Sequence, residues 1–276
     1  MAVDLEIVCV GNELLIGKVV NTNASWLCKH ATFMGVNVKR ITVVADDVQE
    51  MAAVFREVLA RKPKFVVSTG GLGPTFDDKT LEGIAKALNR KLSVNQEALN
   101  MVKAKIREYA KTRNMPEGEF TAPRVKMATL PEGTQPILNP VGTAPGVRVD
   151  IGGTVLILVP GVPKEMEAIF EASVVPLLRQ AAGDVRFYEL SIYADNIMES
   201  VLAPLIDTVM LDNPHVYIKS HPKGRENKPH MELHLSATGK PSQNPQEKLS
   251  KAALELSGLI EKAGGEVVKA DTEVTA

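Results

Sequence analysis

The chain has 276 residues, 45% hydrophobic and 24% charged, the profile of one large or two smaller globular domains. Its 32 basic and 33 acidic residues leave a net charge of −1, which argues against a surface built for non-specific nucleic-acid binding. No uncharged apolar run approaches the ~18 residues of a membrane span, so no membrane partner is expected. Cys9 and Cys28 are too few for a disulfide framework and read as buried, inert thiols. Acidic Asp4 and Glu6 stand where a signal peptide needs basic residues, which points to a cytoplasmic protein.

Leu5 to Val10 is a short apolar run ending at Gly11 and predicts a buried strand. A helix follows, capped by Asn21 or Asn23 and closed by Gly35. Asn37 to Ala45 predicts a second strand. Asp47 and Glu50 then make a D-x-x-E capping pair, and Met51, Val54, Phe55, Val58 and Leu59 keep the spacing of one helix face. Phe65-Val66-Val67 predicts a third strand, and Leu81, Ile84, Ala85 and Leu88 mark the next helix. Strands alternating with helices at this spacing indicate βαβ units and a mainly parallel sheet.

Ser93 and Gln96 predict the capping box of a long helix from about residue 95. Short strands are expected near Ala128 to Leu130, Val147 to Ile151 and Thr154 to Val159, the last two joined by a Gly152-Gly153 hairpin. A helix from Lys164 to Leu178 closes a first domain, residues 1–180. Beyond Ala181-Ala182-Gly183-Asp184 the pattern becomes βαββα, a small α+β domain at 184–276 with a net charge of −4 over residues 183–276.

Four stretches at strand ends carry the chemistry: Gly11 to Gly17, Thr69 to Asp78, Asn139 to Gly146, and Pro160 to Pro163. In an open α/β sheet the ligand crevice lies at the carboxyl ends of the strands. Gly70, Gly71 and Gly73 leave backbone amides uncovered, which suits an anionic oxygen and makes a phosphate the natural ligand. The loop is neither a Walker loop nor a dinucleotide fingerprint. Asp77 and Asp78 would repel a phosphate unless they hold a divalent cation or bind the N–H edge of a heterocycle. Glu13 can serve either role, and either aspartate can instead cap the next helix. Lys79, Arg124, Lys126 and Arg148 are the cations available to a phosphate.

His215, His221, His230 and His234 invite a zinc reading. His230 and His234 on one strand face, however, stand about 13 Å apart at ~3.3 Å per residue, too far to share one metal. They are assigned a structural or surface role, as Trp26 is assigned to packing.

These motifs, with Asn23, Asp46-Asp47, Arg124-x-Lys126-Met127-Ala128-x-x-Pro131-x-Gly133 and Pro160 to Met166, resemble the N-terminal domain of CinA-type, competence-damage-inducible proteins over residues 4–178. That domain is similar to the molybdopterin-binding domain of molybdenum-cofactor biosynthesis proteins and gephyrin. The resemblance implies a three-layer α/β/α fold with a mixed, mostly parallel sheet, and a βαββα second domain that is KH-like. It implies ligand contacts from Thr69, Gly70, Gly71, Gly73, Pro74, Thr75, Lys126, Asn139, Gly142, Thr143, Ala144, Pro145 and Gly146. Catalysis and metal binding would fall to Glu13, Asp77 and Asp78.

In CinA proteins this domain is associated with metal-dependent hydrolysis of ADP-ribose-like pyrophosphates. The first reading is therefore a hydrolase of the diphosphate bond of an ADP-ribose-like nucleotide using Mg²⁺, Co²⁺ or Ni²⁺. The alternatives are a molybdopterin-binding or adenylyltransferase-like protein of cofactor biosynthesis, and a non-catalytic nucleotide-binding scaffold. The T-G-G-T-G stretch of the cofactor relatives has Leu72 in place of its inner threonine, and its functional aspartate maps onto Asp78. The amidohydrolase domain that follows in full-length CinA proteins is not expected in a chain that stops at Ala276. The second domain lacks a G-x-x-G clamp, so packing or dimerisation is expected of it rather than RNA binding. The resemblance also implies a homo-oligomer, dimer or trimer.

Overall fold

A computed structural model describes residues 3–114, 120–224 and 230–270. The outer bounds expected for the two domains, 1 and 276, lie outside them. The chain divides into two compact units, Met1–Ala31 with Val36–Ala181, and Thr32–Gly35 with Ala182–Ala276.

The first unit is built on a six-stranded sheet in the order β2-β1-β3-β8-β7-β6. β1 (Val3–Val10), β2 (Val36–Val44), β3 (Phe65–Thr69) and β8 (Thr154–Val159) run parallel to their neighbours in that order. β6 (Gln135–Ile137) and β7 (Gly146–Ile151) complete it antiparallel, so the sheet is mixed and mostly parallel. Gly152 and Gly153 both have positive φ (57° and 87°), which is why the β7–β8 hairpin turns in two residues.

All five residues of β3 are buried, as are Leu5 to Val10 of β1, because helices cover both faces. On one face Val8, Val10 and Val66 pack with Met51, Phe55 and Val58 of α3 (Val48–Ala60) and Leu81 and Ile84 of α4 (Thr80–Ala87). Phe55 is fully buried, worth about 2–3 kcal/mol of apolar transfer. The other layer comes from α2 (Thr22–Phe33) and from α7 (Pro163–Ile169) running through Phe170–Val174 into α8 (Val175–Ala182). Phe170–Val174 is a turn of π-helix. Pro176 lacks an N–H and crowds the carbonyl of Ala172, and the wider turn accommodates both defects. Trp26 packs here, stacked on His30 and edge-on to Phe170 with a centroid distance of 5.2 Å. Cys9 is buried as expected but Cys28 only half-buried, and burial pushes both thiols above their ordinary values.

The capping of α3 follows the sequence: Asp47 accepts from the N–H groups of Gln49 and Glu50 at 2.8 and 3.0 Å. α5 (Gln96–Thr112) does not. Its cap is Asn95, accepting from Ala98 N–H, because Ser93 is drawn into a short strand, β4 (Leu92–Val94), paired with β5 (Thr129–Pro131). Two further single-turn helices were not foreseen, α1 (Asn12–Leu15) within the first glycine loop and α6 (Ala122–Lys126).

The second unit has β9 (Arg186–Asp195), α9 (Glu199–Asp212), β10 (Tyr217–Pro222), β11 (His230–Gly239), α10 (Pro245–Lys262) and β12 (Glu266–Ala270). The expected βαββα thus gains a closing strand. Its sheet order, β10-β11-β9-β12 with every pairing antiparallel, is a split βαβ arrangement. Residues 264–270 carry too little apolar periodicity for β12 to be read in advance; pairing with β9 makes it a strand.

Candidate functional site

The carboxyl ends of β1, β3 and β8 open onto one cavity of about 790 Å³. Its wall includes Gly11 and Glu13 after β1, Gly70 to Pro74 with Asp77 and Asp78 after β3, and Pro160 to Val162 after β8. Thr143 and Ala144 join them from the loop that enters β7. The strand-end rule therefore brings all four loops to one place.

The β3 loop is shaped by steric necessity. Gly70 has φ +109°, and a Cβ there would stand 2.2 Å from the Val10 carbonyl oxygen. The expectation that Gly70 offers its amide to a ligand is corrected: that N–H donates to Val159 O at 3.0 Å and completes the sheet edge. Thr80, fully buried, donates from its hydroxyl to Gly70 O and from its N–H to Gly71 O. With the peptide gripped on that side, the N–H groups of Gly71, Leu72 and Gly73 have no bonded acceptor among the described residues. Three consecutive unsatisfied amides lining a cavity form a nest for an anionic oxygen.

Asp77 and Asp78 do not cap α4, which begins at Thr80 after Lys79 with no side-chain cap. Both are turned onto Thr75. Its N–H donates to Asp78 Oδ2 at 2.8 Å, and its single hydroxyl proton is shared between Asp78 and Asp77. The Thr75 hydroxyl, then the residue's own N–H, hold the Asp77 carboxyl below the usual carboxylate range. Lys126 Nζ donates to Thr75 O and lines a neighbouring groove of about 370 Å³, which shares Gly71 to Gly73 and Asp78 with the main cavity.

The divalent-metal reading has one or two carboxylates among Glu13, Asp77 and Asp78 holding the ion, with ligand phosphates completing its shell. Among the described residues no group of three or more His, Cys, Asp or Glu side chains is arranged to hold a metal ion. The donor set therefore does not fit a cation held by protein ligands alone.

Asn139 is 2% exposed and organises its loop without reaching the cavity. Its Oδ1 accepts from Gly142 and Val141 N–H at 2.7 and 3.1 Å; its Nδ2 donates to Ala144 O and Glu165 Oε2 at 2.8 and 2.7 Å. A Cβ at Gly142 would meet the Glu165 carboxyl at 2.0 Å, so that side chain would have to move. Thr69 is likewise structural, donating to Pro160 O and accepting from Asn23 Nδ2. Thr75, Pro145 and Gly146 also lie outside the cavity lining.

The site reading missed part of the wall. Asp46, whose carboxylate accepts Asn12 N–H at 2.8 Å, and Glu165 both line the cavity. Ile106 and Tyr109 of α5 also line the cavity, with Pro123, Arg124 and Met127. Val102, Ile106 and Tyr109 sit at i, i+4, i+7 on one helix face, a spacing that could have drawn attention to this wall.

Two of the four histidines of the second unit are paired with carboxylates. His230 Nδ1 lies 2.5 Å from Asp195 and His234 Nε2 3.0 Å from Glu189, both across the β9–β11 ladder. Among the described residues no helix is long and apolar enough to cross a membrane.

The family model for a "Probable molybdopterin binding domain" matches residues 6–180. A curated protein of Pyrobaculum calidifontis is 47% identical over 255 residues, covering 92% of this chain and 94% of its own. One from Metallosphaera sedula is 42% identical over 261 residues, covering 94% and 95%. The crystal structure of the protein CinA, with unknown function, from Thermoplasma acidophilum matches with a TM-score of 0.56 at 44% identity. That match covers 63% of this chain and 98% of that one.

Proposed function

The chain belongs to the family of probable molybdopterin-binding domains and is of the CinA type in its N-terminal region, and from that premise we propose that its first unit binds a phosphorylated pterin of the molybdopterin class. The observation that carries the reading is the row of unsatisfied amides at Gly71, Leu72 and Gly73 inside the 790 Å³ cavity. Backbone donors suit a phosphate because they cost no side-chain entropy and are fixed before the ligand arrives. The cavity volume falls within the range of small-ligand sites. Asp78 holds the loop closed on Thr75, and the carboxylates of Glu13, Asp46 and Glu165 suit the N–H-rich edge of a pterin rather than its phosphate.

Anaerobic calorimetric titration with molybdopterin tests the reading. Saturable binding is expected, weakened about tenfold in Asp78→Ala, which frees the loop, and kept in Asp78→Asn, which retains an acceptor for Thr75 N–H. Absence of binding by folded protein, together with release of AMP from ADP-ribose under Mg²⁺, Co²⁺ or Ni²⁺ that Asp78→Asn abolishes, would replace it with the hydrolase.

A further inference from the structure

The cavity lining has two chemically different parts, and the pterin reading above accounts for only one of them. One part is backbone amide and carboxylate. The other is apolar and aromatic: Ile106, Tyr109, Pro123 and Met127, with Arg124. Tyr109 is 53% exposed, a large aromatic ring left open to solvent on the side of a ligand-sized cavity. One face of that ring is already covered. The Arg113 guanidinium carbon lies 4.5 Å from its centroid, and Arg113 does not line the cavity. A cation over one face restrains the ring and leaves the other face for a ligand. α5 itself is fixed against the Asn139–Gly146 loop by Lys105 Nζ, which donates to Pro140 O at 2.7 Å.

We infer that Tyr109 is the stacking platform for the planar heterocycle of the ligand, with Arg113 as its positioning residue and the Gly71–Gly73 nest holding the phosphate. The ligand class is then a phosphate ester of a flat, aromatic, hydrogen-bonding ring. Ring recognition belongs to α5, not to the glycine loop. Stacking on an aromatic side chain discriminates a ring-bearing phosphate from inorganic phosphates without reading the ring's edge. Met127 adds a polarizable sulfur to the same wall. This inference rests on the anion site proposed above but not on the ring being a pterin.

The test is a set of titrations with 6-hydroxymethylpterin phosphate, AMP and inorganic pyrophosphate on wild type, Tyr109→Ala, Tyr109→Phe and Arg113→Ala. Thermal unfolding serves as the control for folding. At least one ring-bearing probe is expected to bind wild type more tightly than pyrophosphate. Tyr109→Ala is expected to lose about tenfold for that probe and nothing for pyrophosphate, while Tyr109→Phe stays within twofold. Arg113→Ala is expected to lose about threefold, again only for the ring-bearing probe. If AMP and not the pterin shows this pattern, the stacking platform stands and the pterin reading falls. If wild type binds neither ring better than pyrophosphate, or Tyr109→Ala loses nothing for the ring it prefers, the platform is overturned. Equal losses for all three probes also overturn it, because a merely structural role would act on the phosphate as well.

Discussion

The two units solve the same problem, burying a sheet, in opposite ways, and their chemistry differs accordingly. In the first, parallel strands lie under helices on both sides, so β3 and the end of β1 are buried throughout and no polar side chain can function on the sheet itself. Function moves to the strand ends, where the loops after β1, β3 and β8 meet around one cavity. In the second, α9 and α10 pack against one side, and β11 alternates buried Met231, Leu233 and Leu235 with partly exposed His230, Glu232 and His234. The polar side chains there pair across strands: His230 with Asp195, His234 with Glu189, Glu232 with Lys223 and Ser191. One unit leaves donors unsatisfied where a ligand can reach them; the other pairs its charges internally.

The sharpest way to break the comparison is through glycine. Gly70 and Gly264 both have positive φ, but a Cβ at Gly70 would strike the Val10 carbonyl at 2.2 Å whereas nothing lies within 4 Å of one at Gly264. Gly70→Ala should cost about 3 kcal/mol or more and abolish ligand binding, while Gly264→Ala should cost about 1 kcal/mol. Urea unfolding of both variants checks this; equal costs would show that backbone strain, not crowding, dictates Gly70.

Next comes the ion pair beneath the first sheet. Arg61 forms a fork with Glu6, at 2.9 Å from Nε and 2.6 Å from the second nitrogen, and Glu6 is 4% exposed on β1. That contact also raises the Arg61 guanidinium further above its ordinary range. Arg61→Ala should cost about 3 kcal/mol because it strands a buried carboxylate, and Glu6→Leu with Arg61→Met should recover most of it. Chemical denaturation of the single and double variants decides.

The smallest effect belongs to the second unit. Lys223 and then Ser191, bonded to Glu232, hold its carboxyl below the usual range against the opposing effect of burial. A depressed folded value stabilises above the unfolded value, and that contribution is lost as pH falls through the folded one. Melting temperatures from pH 7 to pH 3 should therefore fall less steeply in Glu232→Gln than in wild type; identical slopes would mean that the pairing contributes nothing to stability.

Much of this was legible in the chain. Alternating apolar runs and helix faces located β1, β2, β3, α3 and α4 because burial on both sides of a parallel sheet leaves an unbroken hydrophobic signature. The glycine loop after β3 stood out by composition, Gly70, Gly71 and Gly73 with Asp77 and Asp78, although a strained turn before a capped helix would read the same way. What escaped were elements defined by partners. β12 is a strand because β9 supplies its hydrogen bonds, and Ser93 lost its capping role to Asn95 because β5 pairs with β4. Tyr109 belongs to no motif and stands out only where α5 lines the cavity.

From the sequence by itself follow the class of the first unit and the glycine-rich loops at one edge of its sheet, since both depend on local periodicity and on glycine's missing side chain. Only the tertiary structure decided how those residues are bonded. It committed Gly70 N–H to Val159 and left Gly71 to Gly73 open. It turned Asp77 and Asp78 onto Thr75, withdrew Asn139 into its own loop, and brought α5 to the wall of the same cavity. Hydrogen-bond donors and acceptors are assigned by whichever partner folding brings within about 3 Å, and no spacing along a chain records that distance.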